Sequence, residues 1–186
     1  MSVREPVRPG GRSARVQASV HAAVRDLLAE VGRAELTIPV IAERAGVTPS
    51  TIYRRWGDLQ ELLGDVAVER LRPDAEPADT GTLRGDLDAW LEQYAEEMSS
   101  EPGQAMIRDV LACNLDPTKS CRCRDYLRDQ LAVIAARAAT RSEVAPDVDV
   151  LIDRIVAPVL YRILFDIEPP TPVYCRRLVA AALEAR

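Results

Sequence analysis

The sequence predicts an all-α protein, and three features of its 186 residues lead to that prediction. Apolar residues recur at spacings of three and four through most of the chain, as they do on one face of a helix. Helix start signals precede these segments and glycine or proline ends them. No segment shows the strict alternation of a half-buried strand, and no internal repeat is present.

The first helix is predicted from about Ser13 to Gly32, a residue suited to end a helix. Its apolar positions are Val16, Val20, Ala23, Leu27 and Val31. A second helix follows Thr37, which can cap it, and tolerates Pro39 in its first turn. Its apolar face consists of Ile38, Ile41, Ala42 and Ala45. Both helices are therefore amphipathic and need a shared core.

A third short helix is predicted directly after the second. Gly46 ends the second helix, Thr48 is a good N-cap, and Pro49 suits the first helical position. Two short helices joined by a glycine-containing turn are typical of a helix-turn-helix motif. Ile52 and Trp56 are expected to point inward. The outer side then carries Ser50, Thr51, Tyr53, Arg54 and Arg55. When such a helix enters the major groove of DNA, side chains of these types contact phosphates and base edges.

The rest of the chain also reads as helical. Asp58 and Glu61 resemble a capping box that starts a fourth helix. A linker rich in Pro, Asp and Ala covers residues 73–81. The later helices are predicted at Leu83–Met98, Ala105–Leu115, about Ser120–Thr140, Val148–Phe165 and after Thr171. We therefore expect three parts: a flexible basic arm at 1–12, a DNA-binding domain at 13–57, and a helical ligand-binding and dimerisation domain at 58–186.

Charge is unevenly distributed along the chain. Residues 1–57 hold nine Arg against five acidic residues, whereas the remainder holds 15 basic against 24 acidic residues. A basic head on an acidic body suits a protein that binds DNA with one end. Arg4, Arg8 and Arg12 form an arm that is either disordered or inserted into a minor groove. No secretory signal or membrane span is recognised, which predicts a cytoplasmic location and no membrane partner.

Two predictions concern the C-terminal part. The segment Val148–Phe165 is apolar around most of its circumference, so it is expected to pack on two sides, with Pro158 as a kink. Either it is the central core helix of a monomer, or it forms a homodimer interface with the last helix. The interface residues would be Leu151, Ile155, Val159, Ile163, Leu178 and Ala182. Large side chains predicted to line a ligand pocket, unless they are simple core, are Trp90, Tyr94, Met98, Met106, Tyr126, Tyr161 and Phe165.

Catalysis and cofactor binding find no support in the sequence. No nucleophile motif, phosphate-binding loop or acid–base pair is present, so the chain is predicted not to be an enzyme and to hold no cofactor. The cysteines are Cys113, Cys121, Cys123 and Cys175, expected as thiols, and the only histidine is His21. No metal site is predicted, although a thiol- or metal-responsive sensor is the alternative function. Arg108, Arg128 and Arg162 are candidates to meet an acidic ligand.

The segments Thr37–Val47, Ser50–Trp56 and Glu61–Leu63 together resemble the TetR family of bacterial transcriptional regulators. The resemblance implies a homodimer with a three-helix DNA-binding head and a six-helix ligand-binding body, in which the last two helices form the dimer. It further implies a ligand-responsive regulator of the repressor type. Its partners would be a palindromic double-stranded DNA operator and a small-molecule effector that moves the heads apart.

The family's DNA-contacting positions can be carried over to this sequence. The phosphate-contacting tyrosine corresponds to Tyr53, and the backbone-contacting hydroxyls correspond to Thr37 and Thr48. The variable base-reading positions fall on Pro49, Ser50, Thr51 and Arg54. Many members carry a phosphate-contacting lysine where this chain has Leu59, so Arg55 or a helix N-terminus would have to supply that contact.

Overall fold

The computed structural model describes residues 11–72, 74–112, 117–165 and 168–184, without the side chains of Arg12 and residues 117–121. All regular structure in these ranges is helical, which confirms the all-α prediction. The helices are α1 Arg12–Glu30, α2 Ile38–Ala45, α3 Pro49–Trp56, α4 Leu59–Arg70, α5 Leu83–Ser99, α6 Glu101–Ala112, α7 Pro117–Thr140, α8 Val148–Leu151, α9 Ala157–Phe165 and α10 Pro172–Glu184. Residues 1–10 of the arm expected at 1–12 lie outside the described residues, and Arg12 already belongs to α1.

The chain divides into two compact units, Met1–Val66 and Ala67–Arg186. The N-terminal unit is built from α1, α2, α3 and the first part of α4. Its core contains the apolar residues Val20, Val24, Leu27, Ile41, Ile52, Leu62, Leu63 and Val66. The unit extends beyond the domain limit expected at residue 57 because the start of α4 buries its apolar side chains in this same core.

The C-terminal unit is organised around α5, which packs against α6, α7, α9 and α10. Its buried residues include Leu87, Leu91, Leu131, Ile134, Leu151, Ile155, Val159 and Val179. None of the described helices has the length and apolar character needed to cross a membrane.

The N-terminal end of α5 is held by polar contacts. Thr82 accepts a hydrogen bond from the Gly85 N–H at 3.1 Å. Asp86, which is fully buried, accepts from the Thr80 N–H and hydroxyl at 2.7 Å each and from Arg141 at 2.5 Å. Burial by itself would raise the pKa of Asp86, but these hydrogen bonds and the guanidinium outweigh it and hold the pKa below its ordinary value. The carboxylate therefore stays ionised and anchors the helix that lines the C-terminal cavity.

The α6 helix begins earlier than the sequence predicts. It starts at Glu101 rather than Ala105 because Ser100 acts as its N-cap, accepting a hydrogen bond from the Gly103 N–H at 3.1 Å. Gly103 lies so close to the end of α5 that an added Cβ would stand 2.1 Å from the Glu97 carbonyl oxygen. Glycine is required there because no side chain fits between the two helices.

The segment Val148–Phe165, predicted as one helix, contains a π-helical turn at Ile152–Val156 between α8 and α9. Pro158 follows within the next turn. Proline has no N–H to donate, and its ring crowds the carbonyl of the preceding turn. The Ala157 N–H bonds to the Ile152 carbonyl across the widened turn, so the local distortion sits directly before the proline.

Candidate functional site

The turn between α2 and α3 has the geometry of a helix-turn-helix. Gly46 is left-handed, with φ +67° and ψ +32°. The Val47 N–H bonds to the Ala42 carbonyl at 3.0 Å and the Gly46 N–H to the Glu43 carbonyl at 3.2 Å. This pair of bonds is the Schellman motif, which ends a helix and reverses the chain over few residues. Glycine is favoured at this position because side chains disfavour its backbone conformation.

Hydroxyl groups gather at the N-terminal end of α3. Thr48 occupies the N-cap position, but its side chain accepts no backbone N–H. Its hydroxyl lies 2.9 Å from that of Ser50 and 3.0 Å from that of Thr51. Thr37 caps α2 through a long 3.5 Å contact with the Val40 N–H. The hydroxyls and the first N–H groups of α3 together offer donors suited to phosphate oxygens.

The α3 helix has a buried side and an exposed side. Ile52 and Trp56 are buried in the N-terminal core, as predicted. Tyr53 is 51% exposed, and Arg54 is exposed as well. Within the described part of the chain Arg54 makes no hydrogen bond or ion pair. Its guanidinium and the Tyr53 hydroxyl therefore point to solvent from the same helix.

Arg55 is held differently from Arg54. It donates to the Ser13 hydroxyl at 2.7 Å, to the Ser13 carbonyl at 3.2 Å and to the Gln17 side chain. Its guanidinium also lies 5.2 Å from the centre of the Trp56 ring. Arg55 thus fastens α3 to the beginning of α1. Sequence patterning treated the two arginines as a pair, but the fold separates them.

Leu59, at the position where the resemblance implies a phosphate-contacting lysine, is half-buried and packs against the N-terminal core. A leucine at this place contributes apolar contact in the core rather than a charge for phosphate.

A buried polar cluster joins α1, α3 and α4, and sequence reasoning missed it. One carboxylate oxygen of Asp65 accepts a hydrogen bond from the Trp56 indole N–H at 2.9 Å. The same oxygen lies 3.0 Å from His21 Nε2 and 3.3 Å from Gln17 Nε2. His21 and Asp65 are both buried. The cluster fixes the rotation of Trp56, and with it the side of α3 that faces solvent. The available signal was a charged residue on the apolar face of α4, between Leu62 and Val66.

The C-terminal unit contains a cavity of about 650 Å³. Its wall includes five of the residues predicted for a ligand pocket: Trp90, Tyr94, Met98, Met106 and Tyr126. The Trp90 and Tyr94 rings are stacked, with their centres 5.4 Å apart. This volume lies within the range of about 300–1,000 Å³ that small-molecule sites occupy.

Two of the predicted pocket residues do not line this cavity. Tyr161 is 62% exposed and Phe165 is 70% exposed on the outside of α9. The neighbouring residues Leu160 and Leu164 take their place in the wall. Adjacent positions on a helix differ by about 100° in direction, so Leu160 and Tyr161 face different sides. Because this helix is apolar around most of its circumference, its composition did not identify the side that faces the cavity.

The arginines considered for an acidic ligand also lie elsewhere. Arg128 pairs with Asp149, the guanidinium of Arg162 lies 4.4 Å from the centre of the Tyr174 ring, and Arg108 is exposed. None of the three lines the cavity.

Comparison with known protein families agrees with this two-part architecture. Residues 20–66 match the family model of bacterial regulatory proteins of the tetR family, and residues 77–182 match the model of the tetracyclin repressor-like C-terminal domain. The chain belongs to the TetR family. It is a DNA-binding transcriptional regulator.

Several relatives of this TetR-family chain cover most of its length. An uncharacterized HTH-type transcriptional regulator of Mycobacterium tuberculosis, Rv1556, is 30% identical over 165 residues, covering 82% of this chain and 78% of the relative. YdeS of Bacillus subtilis, another uncharacterized HTH-type transcriptional regulator, is 27% identical and covers 89% and 87%. The crystal structure of the TetR-family regulator SCO0332 has a TM-score of 0.69 and 28% identity, covering 92% of this chain and 98% of that one.

The residues predicted for the dimer interface of the TetR-family chain require a correction. Leu151, Ile155, Val159, Ile163 and Ala182 are buried within their own unit, and Leu178 packs against the same core. The five buried side chains have no surface left for a second copy, whereas Leu178 is half-buried and stays a predicted interface residue. The exposed large apolar residues of α9 and α10 are instead Tyr161, Leu164, Phe165 and Val173.

The cysteines occupy separate places in the TetR fold. Cys123 is half-buried and lines the cavity. Cys175 is buried, and burial raises the pKa of its thiol, which keeps it protonated and unreactive. Cys113 and the side chain of Cys121 lie outside the described residues. Across the ranges that the structure covers, no three His, Cys, Asp or Glu side chains are grouped to hold a metal ion. The sensor alternative stays a prediction.

Proposed function

We propose that this TetR-family regulator is a ligand-responsive repressor that binds a palindromic operator as a homodimer. The observation that carries the DNA-binding part is the exposed side of α3, where hydroxyls, a tyrosine and an unpaired arginine face solvent. Such a helix fits the major groove and offers donors to phosphates and base edges. Bacterial DNA lies in the cytoplasm, where we propose that the protein acts.

The residues on and around α3 divide into three roles in this proposal. Phosphate oxygens are bound by Tyr53, Thr37 and Thr48. Base edges are read by the variable positions Pro49, Ser50, Thr51 and Arg54. Arg55 contributes indirectly, because its contacts with α1 hold α3 in place.

We propose that two copies associate through the outward sides of α9 and α10. Tyr161 and Phe165 recur at a spacing of four on α9, with ring centres 5.1 Å apart. Val173 is exposed on α10. Two helices from each copy would make a four-helix bundle around a twofold axis. The dimer would then place two α3 helices in half-sites about one helical turn, roughly 34–36 Å, apart or a multiple of it.

The proposed effector site is the C-terminal cavity. A small-molecule effector is supported by a fold neighbour at 18% identity and TM-score 0.58, Thermus thermophilus FadR, a transcriptional repressor whose crystal structure is a complex with lauroyl-CoA. A ligand that binds better to a non-DNA-binding conformation lowers operator affinity by its preference between the two states. No catalytic role is part of this proposal.

Substitutions on α3 are expected to separate phosphate contacts from base reading. Tyr53→Phe should weaken binding to every duplex by a similar factor, because it removes a hydroxyl that contacts the backbone. Ser50→Ala or Thr51→Ala should change the order in which sequences are preferred, because base contacts differ among sequences. Binding titrations over a small library of operator variants measure both effects. Equal losses on every sequence from both kinds of change would reject the assignment of roles.

A charge on the outward side of α9 is expected to separate the dimer. Phe165→Glu should shift the protein to the monomer in sedimentation equilibrium, because burying an unpaired carboxylate is unfavourable. Val144→Glu is the matched control, since Val144 is equally apolar and 65% exposed but lies outside α9 and α10. If the Phe165→Glu protein associates as strongly as the Val144→Glu control, the outward side of α9 is not the dimer interface.

A further inference from the structure

Among the residues that the structure describes, the interior of the C-terminal cavity carries no charged side chain. The charged residues in its lining all belong to the exposed rim: Arg70, Arg72, Asp74, Glu76 and Glu97. The buried and half-buried part of the wall is aromatic and aliphatic, with Trp90, Met98, Met106 and Leu127 among its residues. A charged ligand group placed there would lose its hydration without gaining an opposite charge, which is strongly unfavourable.

The rim does not favour either sign of charge. It holds two arginines and three carboxylates, and part of this charge is already neutralised or hydrogen-bonded. Glu76 pairs with Arg137 at 2.7 Å, and Glu97 accepts a hydrogen bond from Gln93 at 2.8 Å. An ionised ligand therefore gains little net attraction at the mouth to offset its desolvation inside.

Few polar groups remain in the interior, and two of them already have protein partners. Gln130 donates to the Ala75 carbonyl at 3.4 Å, and the Tyr126 hydroxyl accepts from Arg122 at 3.5 Å. The Tyr94 hydroxyl has no such partner within the described residues. Burial raises the pKa of Tyr94, so its hydroxyl stays protonated and keeps a hydrogen to donate.

The aromatic part of the wall indicates the shape of the ligand. Trp90 and Tyr94 stack nearly parallel, with 10° between their ring planes. Tyr126 adds a third aromatic side chain to the same cavity. Flat rings offer their faces to other flat rings at little entropic cost, since each aromatic side chain has only two side-chain torsions.

We propose that the cavity binds an uncharged, flat and mainly apolar molecule that carries a hydrogen-bond acceptor for the Tyr94 hydroxyl. This inference depends on the proposed function in one respect, namely that the cavity is the effector site. It excludes anionic and cationic effectors whose charge would enter the interior.

Two fluorescent probes with the same aromatic body test the charge requirement on the full-length protein. Phenylnaphthylamine is neutral, whereas anilinonaphthalene sulfonate adds a single negative charge. The neutral probe is expected to bind at least about tenfold more tightly, an affinity ratio that corresponds to about 1.4 kcal/mol. Equal or tighter binding of the sulfonate, or no binding of either probe, would overturn the proposal.

A variant that fills the cavity shows whether the probe occupies it. Val110 lines the cavity, and Val110→Trp replaces its small side chain with a large ring that is expected to weaken phenylnaphthylamine binding at least about tenfold. Glu96→Ala, a change at an exposed residue of α5 that does not line the cavity, should leave it unchanged. If Val110→Trp does not fold by circular dichroism, Ile107→Phe is the second filling variant. Unchanged binding in a folded filling variant would place the probe elsewhere and contradict the assignment.

The hydrogen-bond requirement is tested with a third neutral probe, propionyl-dimethylaminonaphthalene, which carries a carbonyl acceptor. Tyr94→Phe is expected to weaken its binding about threefold to tenfold, the range for loss of one hydrogen bond. The same variant should bind phenylnaphthylamine, which has no carbonyl, with unchanged affinity. Equal effects on both probes, or no effect on either, would remove the acceptor from the proposal.

These experiments distinguish an error in the proposed ligand class from an error in the proposed regulatory function. If the neutral probe fills the cavity but operator affinity does not change, the ligand class stands and the proposed repression mechanism fails. If the sulfonate is preferred and its binding releases DNA, the regulator is ligand-responsive and the ligand class is wrong.

Discussion

Arg54→Ala is expected to lower operator affinity roughly 100-fold while leaving the fold intact. Arg54 is exposed on α3 and has no partner in the described part of the chain. An arginine contact with a base edge contributes about 1–3 kcal/mol, and a dimer makes the contact twice. Fluorescence anisotropy with a labelled operator at fixed salt measures the loss. Binding of the variant also releases fewer counterions from the DNA, because the variant has one positive charge less. The dependence of affinity on salt concentration should therefore become less steep.

Arg55→Ala is the matched comparison, since it removes the same charge from the adjacent position. Arg55 already donates to Ser13 and Gln17, so its loss should act mainly on the stability of the N-terminal unit. A contribution of about 1–2 kcal/mol is expected for these charged hydrogen bonds at an exposed position. If Arg55→Ala weakened DNA binding more than Arg54→Ala without lowering stability, the two roles would have to be exchanged.

Asp65→Ala is expected to lower the free energy of unfolding of the N-terminal unit by about 3 kcal/mol. The substitution leaves the Trp56 indole N–H and the His21 and Gln17 side chains without their shared acceptor. Burying polar groups without partners costs about 1–3 kcal/mol for each group, and part of that cost is relieved by rearrangement. Thermal and urea unfolding followed by Trp56 fluorescence measures the change, with Trp90→Phe in the background to isolate the signal.

Two further variants serve as controls for the stability change of Asp65→Ala. Asp26→Ala removes an exposed carboxylate of α1 and should change stability by less than about 0.5 kcal/mol. Asp65→Asn keeps one acceptor oxygen and should fall between wild type and Asp65→Ala. If Asp65→Ala were as stable as the Asp26→Ala control, the buried cluster would not hold α3 in place.

Local patterns in the sequence were sufficient to predict the helices and the turn around α3. The helical spacing of Ile52 and Trp56 identified the buried side of α3, and Gly46 marked the turn. These features depend on residues within one or two helical turns of each other, so a single sequence contains the information. The exposed positions of Tyr53 and Arg54 follow from the same periodicity.

Contacts between residues that are far apart in the sequence could not be predicted from local sequence patterns. Arg55 meets Ser13 and Gln17, which lie about forty positions earlier in the chain. The choice between Leu160 and Tyr161 as cavity wall depends on how α9 is rotated against its neighbours. An apolar helix surface gives no periodic preference that would fix this rotation. The interface residues were misassigned for the same reason, since the most apolar positions, such as Ile155, fill the core of one chain first.

Dimethyl sulfate protection on a duplex that the protein selects from a random library tests the central claim most directly. The reagent methylates guanine at N7 in the major groove and adenine at N3 in the minor groove. If α3 enters the major groove, guanine N7 should be protected in two clusters about one helical turn, or a multiple of it, apart, and Arg54→Ala should abolish the protection. Protection confined to adenine N3, or guanine protection unchanged by Arg54→Ala, would contradict the placement of α3 in DNA.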